Sequence, residues 1–97
     1  MILELADITV KDGSQADYER GLRQALPLLT QTEGYISHEL RHGIEEPTRY
    51  LLLIKWESVE AHMVNFRESE RFQEYRAFVN PYIVGTKVTH FELVDTD

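Results

Sequence analysis

Hydrophobic and polar positions along the chain change period several times, and each change marks an element. From Met1 to Val10 the chain is leucine-rich and β-branched, with Ile2, Ala6, Ile8 and Val10 on one side and Leu3 and Leu5 on the other. That blurred alternation predicts a strand buried on both faces. Lys11-Asp12-Gly13 supplies a turn, and Ser14 with Asp17 three residues on resembles a capping box opening a helix. Tyr18, Leu22, Ala25, Leu26 and Leu29 then recur at helical spacing, with Pro27 expected to kink the helix or end its regular part and Gly34 to stop it. From Tyr35 to Ile44 the period returns to two. Ile36, His38, Leu40, His42 and Ile44 share one face of this second strand, and Tyr35, Ser37, Glu39 and Arg41 the other.

Glu45 to Thr48 forms a hairpin turn into the stretch that organises the rest, YLLLIKWESVEAHMVNFRESERFQEYR from Tyr50 to Arg76. Tyr50, Leu52, Ile54 and Trp56 point to one side of its strand, and Arg49, Leu51, Leu53 and Lys55 to the other. Leucines on both sides again predict two covered faces, which places this strand at the centre of the sheet. Ser58 is a plausible helix cap before an apolar stripe of Val59, Met63 and Phe66. Ser69 caps a second short helix whose Phe72, Tyr75, Arg76 and Val79 share a face, and Asn80-Pro81 ends it. A last strand is expected over about Thr86 to Val94. The order is βαββαβ with the second helix broken in two, a ferredoxin-like α+β fold with a four-stranded antiparallel sheet. One layer of helices covers one face of such a sheet, so the leucine-rich second face predicts a homodimer closed through it.

Ninety-seven residues suit a single domain, residues 1–97, with one modest core. No apolar run approaches the roughly 20 residues that span a bilayer, and no signal segment is expected ahead of the first strand. The chain has no cysteine, which excludes disulfides, thiolate metal sites and cysteine nucleophiles and fits a cytoplasmic location. A net charge of −7 disfavours nucleic acid and anionic lipid as partners. A neutral organic molecule or a second copy of the chain suits it better.

Four histidines raise the question of a metal. His38 and His42 share a strand face but lie roughly 13 Å apart along it, and His62 and His90 sit on other elements without a ligand motif. No protein-bound metal is expected. His62 lies on the flank of the Val59, Met63, Phe66 stripe with Asn65 further round, where it could line a pocket or merely bond a backbone carbonyl at the core boundary. Arg76 falls among Phe72, Tyr75 and Val79, so its guanidinium must snorkel out, pair with a carboxylate or face an anionic ligand. Trp56 at the end of the central strand is a core residue whose indole N–H needs an acceptor, and a pocket mouth would provide one. No serine-hydrolase elbow, phosphate-binding glycine loop or dinucleotide fingerprint is present, and LLLIKWE lacks the aromatic and basic pattern that stacks RNA bases.

The whole chain resembles the antibiotic biosynthesis monooxygenase (ABM) domain family of small dimeric α+β-barrel proteins. The specific part is WESVEAHMVNF followed by FQEYR. It is similar to the W-E-S-x-x-A-[aromatic]-x-V-N-F segment of the family's cofactor-free monooxygenases, which oxidise tricyclic anthrone-type aromatics to quinones. The resemblance places Trp56 on the family's pocket tryptophan, His62 on its pocket tyrosine and Arg76 on its pocket arginine. Leu52 stands where the family has a pocket asparagine, removing one hydrogen-bond partner for a phenol or ketone. The haem-degrading branch matches less well, since its first-strand asparagine falls at Ala6 or Asp7 and its axial histidine near Tyr75; no haem is expected.

The resemblance implies a cofactor-independent monooxygenase acting on a quinol or anthrone with O2. His62 would accept the substrate proton, Arg76 would stabilise the developing oxyanion, Trp56 and Asn65 would orient the ring, and Phe66, Phe72, Tyr75, Leu52 and Ile54 would line the cavity. Two alternatives stay open: a non-catalytic small-molecule binder or stress-response dimer, with Arg76 tied to a carboxylate, and an interaction module whose open sheet face is its whole function.

Overall fold

A computed structural model describes all 97 residues. In order these are β1 (Ile2–Val10), α1 (Gln15–Thr30), β2 (Tyr35–His42), β3 (Arg49–Trp56), a π-helical turn (Ala61–Phe66), α2 (Glu70–Val79), a 3-10 turn (Asn80–Tyr82) and β4 (Ile83–Glu92). The strands form one antiparallel sheet in the order β2-β3-β1-β4, so β3 and β1 are interior and β2 and β4 are edges. This is the ferredoxin-like α+β architecture, with the second helix broken into π and α pieces.

Side-chain alternation turns Ala6, Ile8 and Val10 of β1 and Tyr50, Leu52, Ile54 and Trp56 of β3 toward the helices. There they meet Tyr18, Leu22, Ala25 and Leu29 of α1, and the whole set forms one buried cluster. The opposite face carries Leu3, Leu5, Leu51 and Leu53, each half-buried within the single chain, and Phe91 on β4, which is 50% exposed. Nothing in the chain covers that face.

Several local details differ from expectation. Ser14 precedes α1 without a side-chain cap; Asp17 pairs with Arg20 at 2.9 Å, and the Gln15 amide oxygen accepts from the Gly13 N–H instead. Pro27 lies in the last turn, where its carbonyl accepts from the Gln31 N–H, and α1 ends at Thr30 ahead of the positive-φ Gly34. A register shift between Tyr35 and Ser37 brings Tyr35 round to the core side, against Trp56, and leaves Ile36 41% exposed. β2 stops at His42, and β4 begins at Ile83 and ends at Glu92, earlier at both ends than the period of two suggests. The 3-10 turn at Asn80-Pro81 delivers the chain directly into β4 pairing, and the shift between Thr9 and Val10 absorbs one extra β4 residue.

The caps of the broken helix do form. Ser58 Oγ accepts from the Ala61 N–H at 3.1 Å, and Ser69 Oγ accepts from the Phe72 N–H at 3.3 Å. Between them the helix widens: the Arg67 N–H reaches the His62 carbonyl five residues back. This wider turn replaces the Val59, Met63, Phe66 stripe with Ala61, His62 and Phe66 as the buried set, and Val59 is 43% exposed. Helices α1 and α2 approach so closely at Gly21 that any side chain there would strike the Phe78 carbonyl.

Candidate active site

Between the broken helix and the sheet lies a cavity of about 490 Å³. Its floor is Glu4, Ala6 and Ile8 of β1, Leu52 and Ile54 of β3, and Thr86 and Val88 of β4. Its roof is His62, Phe66 and Arg67 from the π-helical turn with Phe72, Tyr75, Arg76 and Val79 from α2, and Tyr18 closes one side. Eleven of its seventeen lining residues are hydrophobic, so the few polar groups decide what it can do.

The polar groups form a chain that spans four elements. Trp56 Nε1 donates to Glu4 Oε1 at 2.9 Å; His62 Nε2 lies 3.3 Å from the same oxygen; and His62 Nδ1 meets His90 Nε2 at 2.9 Å. The Trp56 ring stacks on His62 with centroids 5.3 Å apart and meets Tyr35 edge-on, which fixes the imidazole plane. Glu4, Trp56 and His62 are all buried, whereas His90, on edge strand β4, is partly exposed.

Burial controls the charges. It pushes the Glu4 carboxyl up to about 7, against the lowering pull of the Trp56 hydrogen bond and the Arg67 charge. It pushes His62 down to about 4, helped by His90 and Arg67. At neutral pH, then, Glu4 and His62 are not an ion pair. They are a neutral imidazole beside a carboxyl that titrates in the physiological range. Burial also holds the Tyr18 and Tyr75 phenols well above their ordinary value, so both stay protonated donors. The Tyr18 hydroxyl is buried without a partner.

Arginines divide sharply by location. Arg20, Arg23, Arg41 and Arg49 are each in an ion pair, while Arg67, Arg71 and Arg76 of the broken helix have no carboxylate partner. Arg67 and Arg76 both place a guanidinium near the Phe72 ring, 5.5 and 5.6 Å from its centroid, and both line the cavity. With the Asn80 amide oriented to match its neighbours, its oxygen accepts from Nε and Nη2 of Arg76 at 3.2 Å each.

Of the residues singled out by sequence, His62, Arg76, Phe66, Leu52, Ile54, Phe72 and Tyr75 line the cavity. Trp56 lies behind the wall, backing Glu4 through its indole N–H and His62 and Phe66 through its ring. The Asn65 amide points elsewhere, donating to the Glu33 carbonyl at 2.9 Å. His38 and His42, in turn, bond Tyr35 and the Pro47 carbonyl. Sequence reasoning passed over Glu4, Tyr18, Arg67 and His90. A usable signal existed for Glu4: it is the one charged residue on the inward side of an otherwise apolar strand. None existed for the meeting of His62 and His90, which depends on β4 register.

The profile of the antibiotic biosynthesis monooxygenase (ABM) family matches residues 1–77 of this chain. The chain therefore belongs to that family. Among its relatives, an uncharacterised protein of Bacillus subtilis (strain 168), YczJ, is 38% identical over 93 residues, covering 95% of this chain and 98% of YczJ. A crystal structure from Bordetella bronchiseptica, assigned to the antibiotic biosynthesis monooxygenases, is 41% identical over 96% of both chains with a TM-score of 0.92. SnoaB of Streptomyces nogalater, a cofactor-independent oxygenase, shares the fold with a TM-score of 0.85 at 15% identity, over 98% of this chain and 94% of its own.

Proposed function

We propose that the chain is a cofactor-independent monooxygenase that oxidises a small electron-rich aromatic, a quinol or an anthrone, with O2. The observation that carries this is a buried carboxyl–imidazole pair, Glu4 and His62, on the wall of a largely apolar cavity. A volume of about 490 Å³ falls within the roughly 300–1,000 Å³ of small-molecule sites. SnoaB, a cofactor-independent oxygenase of the same fold, adds support.

The chemistry needs a substrate acidic enough to lose a proton, and a dry place to lose it. Proton acceptance, which sequence reasoning assigns to His62, falls instead to Glu4: His62 is held neutral with both nitrogens engaged, and Glu4 supplies the more basic group. The Glu4 carboxylate removes a substrate proton, and the resulting carbanion or phenolate gives an electron to O2. Recombination forms a carbon–oxygen bond and a hydroperoxide, whose loss of water leaves the carbonyl. One oxygen atom enters the product, and the other leaves as water with the two hydrogens the substrate lost. Arg76, seconded by Arg67, stabilises the developing oxyanion. Trp56 holds Glu4, Asn65 steadies the π-helical turn, and Phe66, Phe72, Tyr75, Leu52 and Ile54 shape the space for the ring. No metal, flavin or haem is required.

A non-catalytic binder would leave Arg76 tied to a carboxylate, and its freedom from one favours a ligand-facing role. We further propose that two copies close through the Leu3, Leu5, Leu51, Leu53 face, as a large apolar patch demands. Oxygen uptake with a panel of dihydroxy-aromatics and anthrones tests the activity. Turnover should appear with at least one of them and fall in His62→Ala and Arg76→Ala; turnover unchanged in both variants would remove these residues from the mechanism.

A further inference from the structure

His90 is the far end of the polar chain, opposite Trp56, and neither lines the cavity nor belongs to the helices above it. It sits on edge strand β4, paired in register with Glu4 itself, and its Nε2 reaches His62 Nδ1 at 2.9 Å. That contact joins two imidazole nitrogens, so one must carry a hydrogen and the other must not. The choice propagates along the chain.

Glu4 settles it. Its Oε1 already accepts from Trp56 at 2.9 Å, and His62 Nε2 faces the same oxygen at 3.3 Å. When the carboxyl is ionised, a bare Nε2 would set a lone pair against a carboxylate lone pair in a buried site. Only an Nε2–H fits. His62 Nδ1 is then bare, and His90 must supply the hydrogen from its own Nε2. We propose that His90 is a positioning residue: by donating to His62 Nδ1 it fixes His62 as the Nε2–H tautomer, keeps a donor aimed at Glu4, and leaves Glu4 to take and return the proton. Imidazoles oriented in this way by a second partner are a general device for fixing a ring's tautomer.

The arrangement has a mechanistic consequence, which rests on the oxygenase reading above. With Nε2–H already present on His62, and Nδ1 occupied by His90, no vacant nitrogen faces Glu4 to carry its proton away. The proton Glu4 removes from the substrate therefore returns from Glu4 to the departing water. Glu4 acts as base and then acid, and the two histidines hold the carboxyl without conducting its proton.

The tautomers can be read without substrate or oxygen, so this inference stands or falls apart from the activity. Long-range ¹H–¹⁵N correlation spectra of ¹⁵N-labelled protein above pH 7 should show His62 and His90 both as Nε2–H. A His62 that carries its hydrogen on Nδ1 would overturn the proposal by itself, whatever any variant does. In His90→Phe, which has no donor, the His62 tautomers should mix, and ¹³C titration of Glu4 should move upward from about 7. In His90→Gln, whose amide N–H can replace the donor, both signatures should return toward wild type. A His90→Phe protein with an unchanged His62 tautomer and Glu4 titration would show that His90 positions nothing.

Discussion

The Trp56 indole donates a 2.9 Å hydrogen bond to the Glu4 carboxyl, joining the two interior strands inside the core. Strand pairing alone would set Glu4 opposite Ile54, so the indole reaches diagonally across the sheet face to meet it. Removing the donor should matter twice. Trp56→Phe keeps an aromatic ring but leaves the carboxyl short of a partner, which should cost about 1–3 kcal/mol. Because that bond lowers the Glu4 pKa, its loss should also move the carboxyl titration above about 7. Urea denaturation reads the first effect and ¹³C titration the second.

Glu4 and His62 set opposing pH dependences of stability. Glu4 has a folded pKa raised from 4.5 to about 7, so the folded state binds more protons than the unfolded one across that window and stability falls as pH rises through it. His62 has a folded pKa lowered from 6.5 to about 4, so the unfolded state binds more protons between those values and stability rises with pH. Each effect is roughly 3 kcal/mol at full extent and they largely cancel. Glu4→Gln should therefore gain stability from pH 4 to 6.5, and His62→Gln should lose it from pH 4.5 to 7. Chemical denaturation across this range checks both slopes.

Arg67 and Arg76 flank Phe72 at the cavity without carboxylate partners. Arg76→Gln should reduce turnover roughly tenfold to a hundredfold through loss of oxyanion stabilisation, with a smaller effect for Arg67→Gln. Stability should change by about 1 kcal/mol or less, since neither substitution breaks an ion pair and Arg76 gives up only its exposed hydrogen bonds to Asn80. Steady-state rates beside thermal melts separate the two effects.

Leu5 stands opposite Leu53 on the sheet face that no helix covers. Leu5→Arg should turn the proposed dimer into a monomer, because a guanidinium at the centre of the proposed contact would be left without a partner. Light scattering at micromolar concentration reads the change, and an unaltered mass would point to closure through another surface.

Much of the fold was legible because long segments kept one period. β3 reveals its inward face through the Tyr50, Leu52, Ile54, Trp56 series, β1 is recognisable as a strand despite its blurred alternation, and both serine caps of the broken helix announce themselves. The π-helical turn was not legible, since rotation by 100° per residue assumes the very hydrogen bonding that Arg67 and His62 depart from. The cavity's apolar wall followed from α2, where Phe72, Tyr75, Arg76 and Val79 share a face as spacing predicts. Its polar chain did not. Glu4, His62 and His90 lie far apart in sequence and meet only through strand register, which local pattern does not encode.

The pH dependence of oxygen uptake, compared between wild type and Glu4→Gln, tests the central claim most directly. If the buried carboxyl is the proton acceptor, the wild-type rate should rise through an apparent pKa near 7 and Glu4→Gln should lose roughly a hundredfold or more at pH 8. A Glu4→Gln protein that turns over at the wild-type rate, with the same pH profile, would contradict it.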